Sequence, residues 1–239
     1  MLYSLLLGLL LALPLAAQDS PPAALAADDQ VVFVRKGDLW SVRGDGSGLR
    51  QITRAAVQEL RPVASPDGSL IAYEVYDADR GDFGLWTCTP EGGDPTQIIE
   101  RARNVSWSPD GGRLLFAMQR RSRLDIWMAN RQGTDLVRIT NTPEQDYLPV
   151  WSPAGDRVAF VRELHEGGRT RYAIVVRSAD GNEQEVTSLL GRNIASLSWA
   201  PSESLLYSAR GEAPNEPERL YRLAADALLA HAEPEEQRE

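Results

Sequence analysis

The chain repeats one short block four times, and this limits its fold more than any other feature. PVASPDG (residues 62–68), VSWSPDG (105–111), PVWSPAG (149–155) and LSWAPSE (197–203) align on Pro66, Pro109, Pro153 and Pro201, spaced 43, 44 and 48 residues apart. A period of about 40–50 residues belongs to a unit of four short strands that cannot bury its own apolar face and must stack on copies of itself. The sequence therefore predicts a β-propeller.

The interior of each repeat supports four strands. In S-P-D-G, proline presets the first central position of a turn, Asp suits the second, and Gly takes the left-handed conformation that closes it. The segment before the turn reads as strand a and the one after it as strand b. Strand b carries an aromatic seven residues past the anchor proline at Tyr73, Phe116 and Phe160, and six past it at Tyr207. Strand c carries an apolar pair in Leu85-Trp86, Ile126-Trp127, Ile174-Val175 and Leu220-Tyr221. Gly-bearing turns follow at 90–94, 130–135 and 178–183, and strand d closes the unit at 96–99, 137–140 and 185–187. The N-terminal unit fits from strand b onward, with Leu39-Trp40 as its apolar pair, and lacks a strand a. The last unit lacks a clear strand d. The expectation is an all-β propeller of about five four-stranded blades with incomplete first and last blades. It is followed by a short helical, acidic tail over 224–239.

Composition narrows the function classes. Among 239 residues, 25 Lys and Arg face 34 Asp and Glu, a net charge of −9. This argues against coating nucleic acid or anionic membrane, which needs a basic face. A single cysteine, Cys88, excludes an intrachain disulfide and a cysteine metal cluster. Two histidines, His165 and His231, leave little for acid–base or metal chemistry.

Residues 1–17 read as a signal peptide. The run 2–17 is uncharged and apolar, is broken by Pro14, and ends in Ala16-Ala17. A second possible cut follows Ala24-Leu25-Ala26. Residues 18–30 read as a linker and 31–223 as the propeller.

The blocks Trp107-Ser108-Pro109-Asp110-Gly111 and Trp151-Ser152-Pro153, with repeat ends Gln51-Ile52-Thr53 and Arg138-Ile139-Thr140, resemble the TolB-like family of β-propeller repeats, which is WD-repeat-like in its architecture. The resemblance covers about residues 31–223. It implies an exported, periplasmic or secreted propeller that binds a protein partner at the cell envelope. Such proteins also carry an α/β domain ahead of the propeller, for which residues 19–31 are too few. Family repeats also form the propeller half of serine peptidases, but the hydrolase half and its G-x-S-x-G are not found here, since residues 44–48 read G-D-G-S-G.

No constellation rises to a catalytic, cofactor or metal site. The acidic run 77–82 fails the EF-hand pattern, with Gly81 and Cys88 where ligands belong. His165-Glu166 reads as a Gly-rich surface loop, Cys88 as a packed thiol, and the tryptophans as packing between blades. Variable, charged b–c and d–a loops share one face, and d–a loops lead into the innermost strand. The expected partner-binding residues at this channel mouth are Arg61, Arg103, Asn104, Asp146, Tyr147 and Asn193. The expected function is non-enzymatic protein binding, without nucleic acid or a membrane span after leader removal. The alternatives are an assembly subunit completing a larger propeller in an oligomer, or a metal- or carbohydrate-dependent enzyme.

Overall fold

The computed structural model describes residues 2–4, 26, 29–210 and 217–224. The described residues are all-β, and five sheets of the blade type follow one another along the chain. They fall into two compact units, residues 1–100 and 101–239.

The first unit holds two sheets. One is β1 (Leu2–Ser4), β2 (Gln30–Arg35), β3 (Asp38–Arg43) and β4 (Arg50–Gln51). The other is β5 (Gln58–Ala64), β6 (Ile71–Asp77), β7 (Asp82–Cys88) and β8 (Thr96–Glu100). The first sheet departs from the three strands expected. Leu2–Ser4 pairs parallel to β2, Tyr3 opposite Val31, and so occupies the edge that a missing strand a would leave open. The rest of the leader and nearly all of the linker lie outside the described residues. Val32, Leu39, Ile52, Ile71, Tyr73, Val75 and Cys88 form the core of this unit.

The second unit holds three sheets. Strands β9 (Ala102–Trp107), β10 (Arg113–Arg120), β11 (Arg123–Asn130) and β12 (Val137–Arg138) make one. Strands β13 (Gln145–Trp151), β14 (Arg157–Glu166), β15 (Arg169–Ser178) and β16 (Glu183–Leu190) make the next. The last has three: β17 (Ile194–Trp199), β18 (Leu205–Ala209) and β19 (Arg219–Leu223). Because side chains alternate across a strand, β14 packs Val158 and Phe160 with Leu115 and Ile126 of the preceding sheet. Its other face packs Ala159 and Val161 with Leu205 and Tyr207 of the following one. The helical tail expected from residue 225 onward lies outside the described residues.

The repeat signature is a set of local hydrogen bonds. Gly68, Gly111 and Gly155 adopt φ of 69°, 69° and 75°, as the turn requires. The serine before each proline is buried. Ser108 donates to Asp110 Oδ1 (2.5 Å) and accepts from the Arg113 amide (2.9 Å). Ser65 and Ser152 do the same with Asp67 and Asp156. The recurring aromatics Tyr73, Phe116, Phe160 and Tyr207 are 0–5% exposed, and each such burial contributes roughly 2–3 kcal/mol.

Candidate protein-binding surface

Strand a is where the chain departs most from regular geometry. Arg61, Asn104 and Leu148, each five residues before an anchor proline, have φ of 48°, 58° and 53°. At each, two residues of strand a oppose one of strand b, and that one is Tyr73, Phe116 or Phe160. This is a β-bulge repeated in register. Holding a left-handed Leu or Arg costs about 1–2 kcal/mol, and Asn tolerates it better. The bulge kinks the strand around the largest core side chain of its sheet.

Arg61, Arg103, Asn104, Asp146 and Tyr147 therefore stand in strands β5, β9 and β13, and not in the loops assigned from sequence. Only Arg101 separates β8 from β9. Arg61 is exposed in the first unit, with Nη1 3.8 Å from buried Glu74 Oε1. The other five lie in the second unit. Two of these are removed from the expected surface. Asn104 is 8% exposed and its Oδ1 faces the Leu148 amide at 3.5 Å. Asp146 is fully buried, where Arg162 donates to Oδ1 from Nε (2.8 Å) and to Oδ2 from Nη2 (3.0 Å).

The remaining three leave a polar-aromatic surface. Tyr147 is half-buried, and its hydroxyl donates to Oδ1 of exposed Asn193 at 3.1 Å, joining β13 to the residue before β17. Burial, reinforced by Glu163 and Tyr172 and opposed by Arg103, pushes the Tyr147 phenol well above its ordinary range, so it stays a neutral donor. Arg103 is half-buried. Beside Asn193, Arg192 donates from Nε to the Arg210 carbonyl (3.0 Å) and from Nη2 to the Tyr221 hydroxyl. Its guanidinium lies 5.7 Å from the Tyr221 ring, which stacks on Tyr207 at 5.0 Å. Sequence reasoning missed Arg192 and Tyr221. The adjacency of Arg192 to Asn193 was the available signal.

A second arrangement explains Asp146. Thr53 Oγ1 accepts from the Leu39 amide (2.9 Å) and donates to Glu59, which also accepts from Leu39 N at 3.1 Å. Thr140 Oγ1 accepts from the Ile126 amide (3.0 Å) and its hydroxyl bonds to Asp146. Both follow the spacing Ile-Thr-x5-acid, in residues 52–59 and 139–146. The acid on strand a thus latches each sheet to the strand end before it. Burial raises the Glu59 carboxyl above its ordinary range, against the bonds from Thr53 and Leu39. A carboxyl raised in the folded state supports stability below its ordinary value and loses that support as pH rises through the folded value. Glu59→Gln keeps an acceptor oxygen and removes the charge. It is expected to match the parent near pH 4 and to equal or exceed it near pH 7, with urea midpoints as the check. A loss at pH 7 would show that the ionised form is net favourable there.

Other candidates resolve into structure. Asp77 Oδ1 accepts from the amides of Asp79 (3.0 Å) and Arg80 (3.1 Å), a turn that uses the acid internally. His165 and Glu166 end β14, and the turn itself is Gly167-Gly168. Cys88 is 1% exposed, and burial pushes its thiol up to about 12. Of the tryptophans only Trp107 is buried. The other five are half-buried, and Arg35, Arg120 and Arg157 lie over Trp40, Trp127 and Trp199 at 4.9–5.1 Å. These three are capped by cations as much as packed between sheets.

Residues 28–218 match the model of the TolB beta propeller domain. The chain is 29% identical over 138 residues to a protein TolB homolog of Chlorobium luteolum, covering 55% of this chain and 31% of that protein. It is 31% identical over 169 residues to the Tol-Pal system protein TolB of Anaeromyxobacter sp. (strain K), covering 67% of this chain and 38% of that protein. The chain thus spans less than half the length of these curated relatives. The crystal structure of TolB from Acinetobacter baumannii shares the fold, with a TM-score of 0.61 at 17% identity over 79% of this chain and 46% of that one. The repeats, the sheet topology and this match together place the chain in the TolB β-propeller family.

Proposed function

We propose that the chain is a non-enzymatic binding propeller, exported to the periplasm or beyond, that holds a protein partner of the cell envelope. The observation that carries the reading is the Tyr147–Asn193 bridge with Arg103 and Arg192 beside it. It is an aromatic and guanidinium surface in which Arg103 and Tyr147 stand on strands, and Arg192 and Asn193 on the short connection that leads into β17. Tyr and Arg are the residue types that dominate binding energy at protein interfaces. Export rests on the uncharged run 2–17, and the envelope partner on kinship with a Tol-Pal system protein. Arg61 stands as a separate candidate contact on the first unit.

Affinity capture from periplasmic extract, with cross-linking to name the bound protein, supplies the partner. Arg103→Ala and Asn193→Ala are then expected to weaken binding at least tenfold each, about 1.4 kcal/mol. Their urea midpoints should stay near that of the parent. Gly181→Ala, in the turn before β16, is expected to leave affinity unchanged. Normal binding by both variants together with loss in the Gly181 variant would overturn the surface assignment.

A further inference from the structure

The hairpin that joins β10 to β11 consists of Arg120-Arg121-Ser122-Arg123, and its charges are not balanced. Arg120 and Arg123 oppose each other in the last pair of the ladder. The other b–c hairpins among the described residues pair opposite charges or carry a counter-charge. Arg35 opposes Asp38, and Glu166 opposes Arg169. Asp77 opposes Asp82, and Arg80 within that turn pairs with Asp77 at 3.5 Å. Like charges directly opposed across a ladder are destabilising, so the order at 120–123 works against the fold. The turn adds to this. Arg121 holds φ of 56°, where the hairpin between β14 and β15 places Gly167 at 57°.

These guanidinium groups are only partly engaged. Arg120 and Arg121 are exposed and Arg123 is half-buried. Arg120 lies over the Trp127 ring at 4.9 Å, and Arg123 donates from Nη1 to the Thr142 carbonyl at 3.0 Å. Among the described residues no carboxylate lies within 4.0 Å of Arg120, Arg121 or Arg123. Of the acids carried at this end of the unit, Glu144 forms no such pair with them. Asp146, Glu163 and Glu166 are held by Arg162 (2.8 Å), His165 (3.3 Å) and Arg171 (3.2 Å). The Gln119 amide donates to the Arg101 carbonyl at 2.8 Å, which sets exposed Arg101 at the same sheet end.

We propose that the 120–123 hairpin is a docking site for a short acidic segment of a partner protein, whose carboxylates supply the counter-charge that this ladder lacks. The guanidinium fork matches a carboxylate bidentately and stays charged at any working pH. The net charge of −9 opposes an extended polyanion such as a duplex or an anionic bilayer. A short segment meets only the patch itself, because charges beyond about 8–10 Å are screened. The site deepens the protein-binding reading on residues separate from the Tyr147–Asn193 surface, so either can fail alone.

The probe is the heptapeptide SEDEDES, added to the full chain at low salt. Saturable binding is expected, and it should weaken at least tenfold between about 20 and 200 mM salt. The uncharged peptide SQNQNQS should bind at least tenfold more weakly. Arg121→Gly should lose affinity at least fivefold while its urea midpoint holds or rises, since Gly suits the left-handed turn. That combination separates the charge from the fold. Arg120→Glu, which repeats the Glu-to-Arg order of the hairpin at 166–169, should bind at least tenfold more weakly. Asn193→Ala should bind the peptide as the parent does. Three results would overturn the proposal: no binding at millimolar peptide, equal binding of the two peptides, or parental affinity in both hairpin variants. Tighter binding of inorganic phosphate, phosphatidylglycerol vesicles or duplex DNA than of SEDEDES, lost in the same variants, would also overturn it and name the other class of anion.

Discussion

Gly92→Ala should lower the stability of the protein by about 3 kcal/mol or more. Gly92 sits in the c–d turn of the second sheet with φ of 87°, and its amide donates to the Thr89 carbonyl at 2.9 Å. A Cβ there would stand 2.0 Å from the Ile52 carbonyl oxygen and 3.0 Å from its carbon. The Ile52 backbone cannot retreat easily. Its amide donates to Leu39 O at 2.8 Å, and its side chain is 8% exposed in the core between the two sheets. The added methyl must therefore break either the turn or the strand end that holds Leu39. Gly181 gives the control. Its φ is 92°, but an added Cβ meets only the tip of Arg177, at 3.1 Å, which can swing away. Gly181→Ala should cost only the left-handed penalty of about 1–2 kcal/mol. Urea denaturation of both variants separates contact from conformation. Equal losses would show that the Ile52 contact is not what makes Gly92 necessary.

The sequence disclosed what is local. Ser-Pro-Asp-Gly closes its turn through bonds among residues five apart, and the aromatic seven residues on is buried by alternation along a single strand. What it hid depends on register between strands. The bulges at Arg61, Asn104 and Leu148 share no residue type, so composition gave no sign that residues expected in loops would be strand residues. The two-residue β4 and β12 are shorter than their β-branched segments suggested, because the Ile-Thr pair turns inward to cap the neighbouring strand. The Ile-Thr-x5-acid spacing is legible in the chain, and it distinguishes Asp146, a latch, from the surface acids around it. Leu220 belongs to the same apolar pair as Leu39 and Ile126, which pack with the sheet that follows them, but among the described residues no sheet follows Leu220 and it is 62% exposed.

Arg162→Met is expected to cost about 3–5 kcal/mol, because it leaves the Asp146 carboxylate buried without its partner. Asp146 and Arg162 are opposed across β13 and β14, so the bidentate contact is fixed by the ladder and needs little extra ordering. Burial opposes charge on both groups, and Asp146 with Glu183 holds the Arg162 guanidinium firmly ionised. Asp146→Ala should cost less. It leaves Arg162 bonded to Glu183 at 2.8 Å and stacked 5.2 Å from the Phe160 ring. The double variant should cost less than the sum of the singles, since it leaves neither charge alone. In Arg162→Met the only remaining support for the carboxylate is the Thr140 hydroxyl, and burial then drives its pKa further up. A raised acid stabilises the fold below its ordinary value and loses that contribution as pH rises through the folded value. The deficit of this variant should therefore shrink as pH falls from about 7 toward 5. Urea midpoints across that range check it. A cost below about 1 kcal/mol with no pH dependence would mean that water reaches Asp146 freely, and would return this residue to the binding surface beside Tyr147.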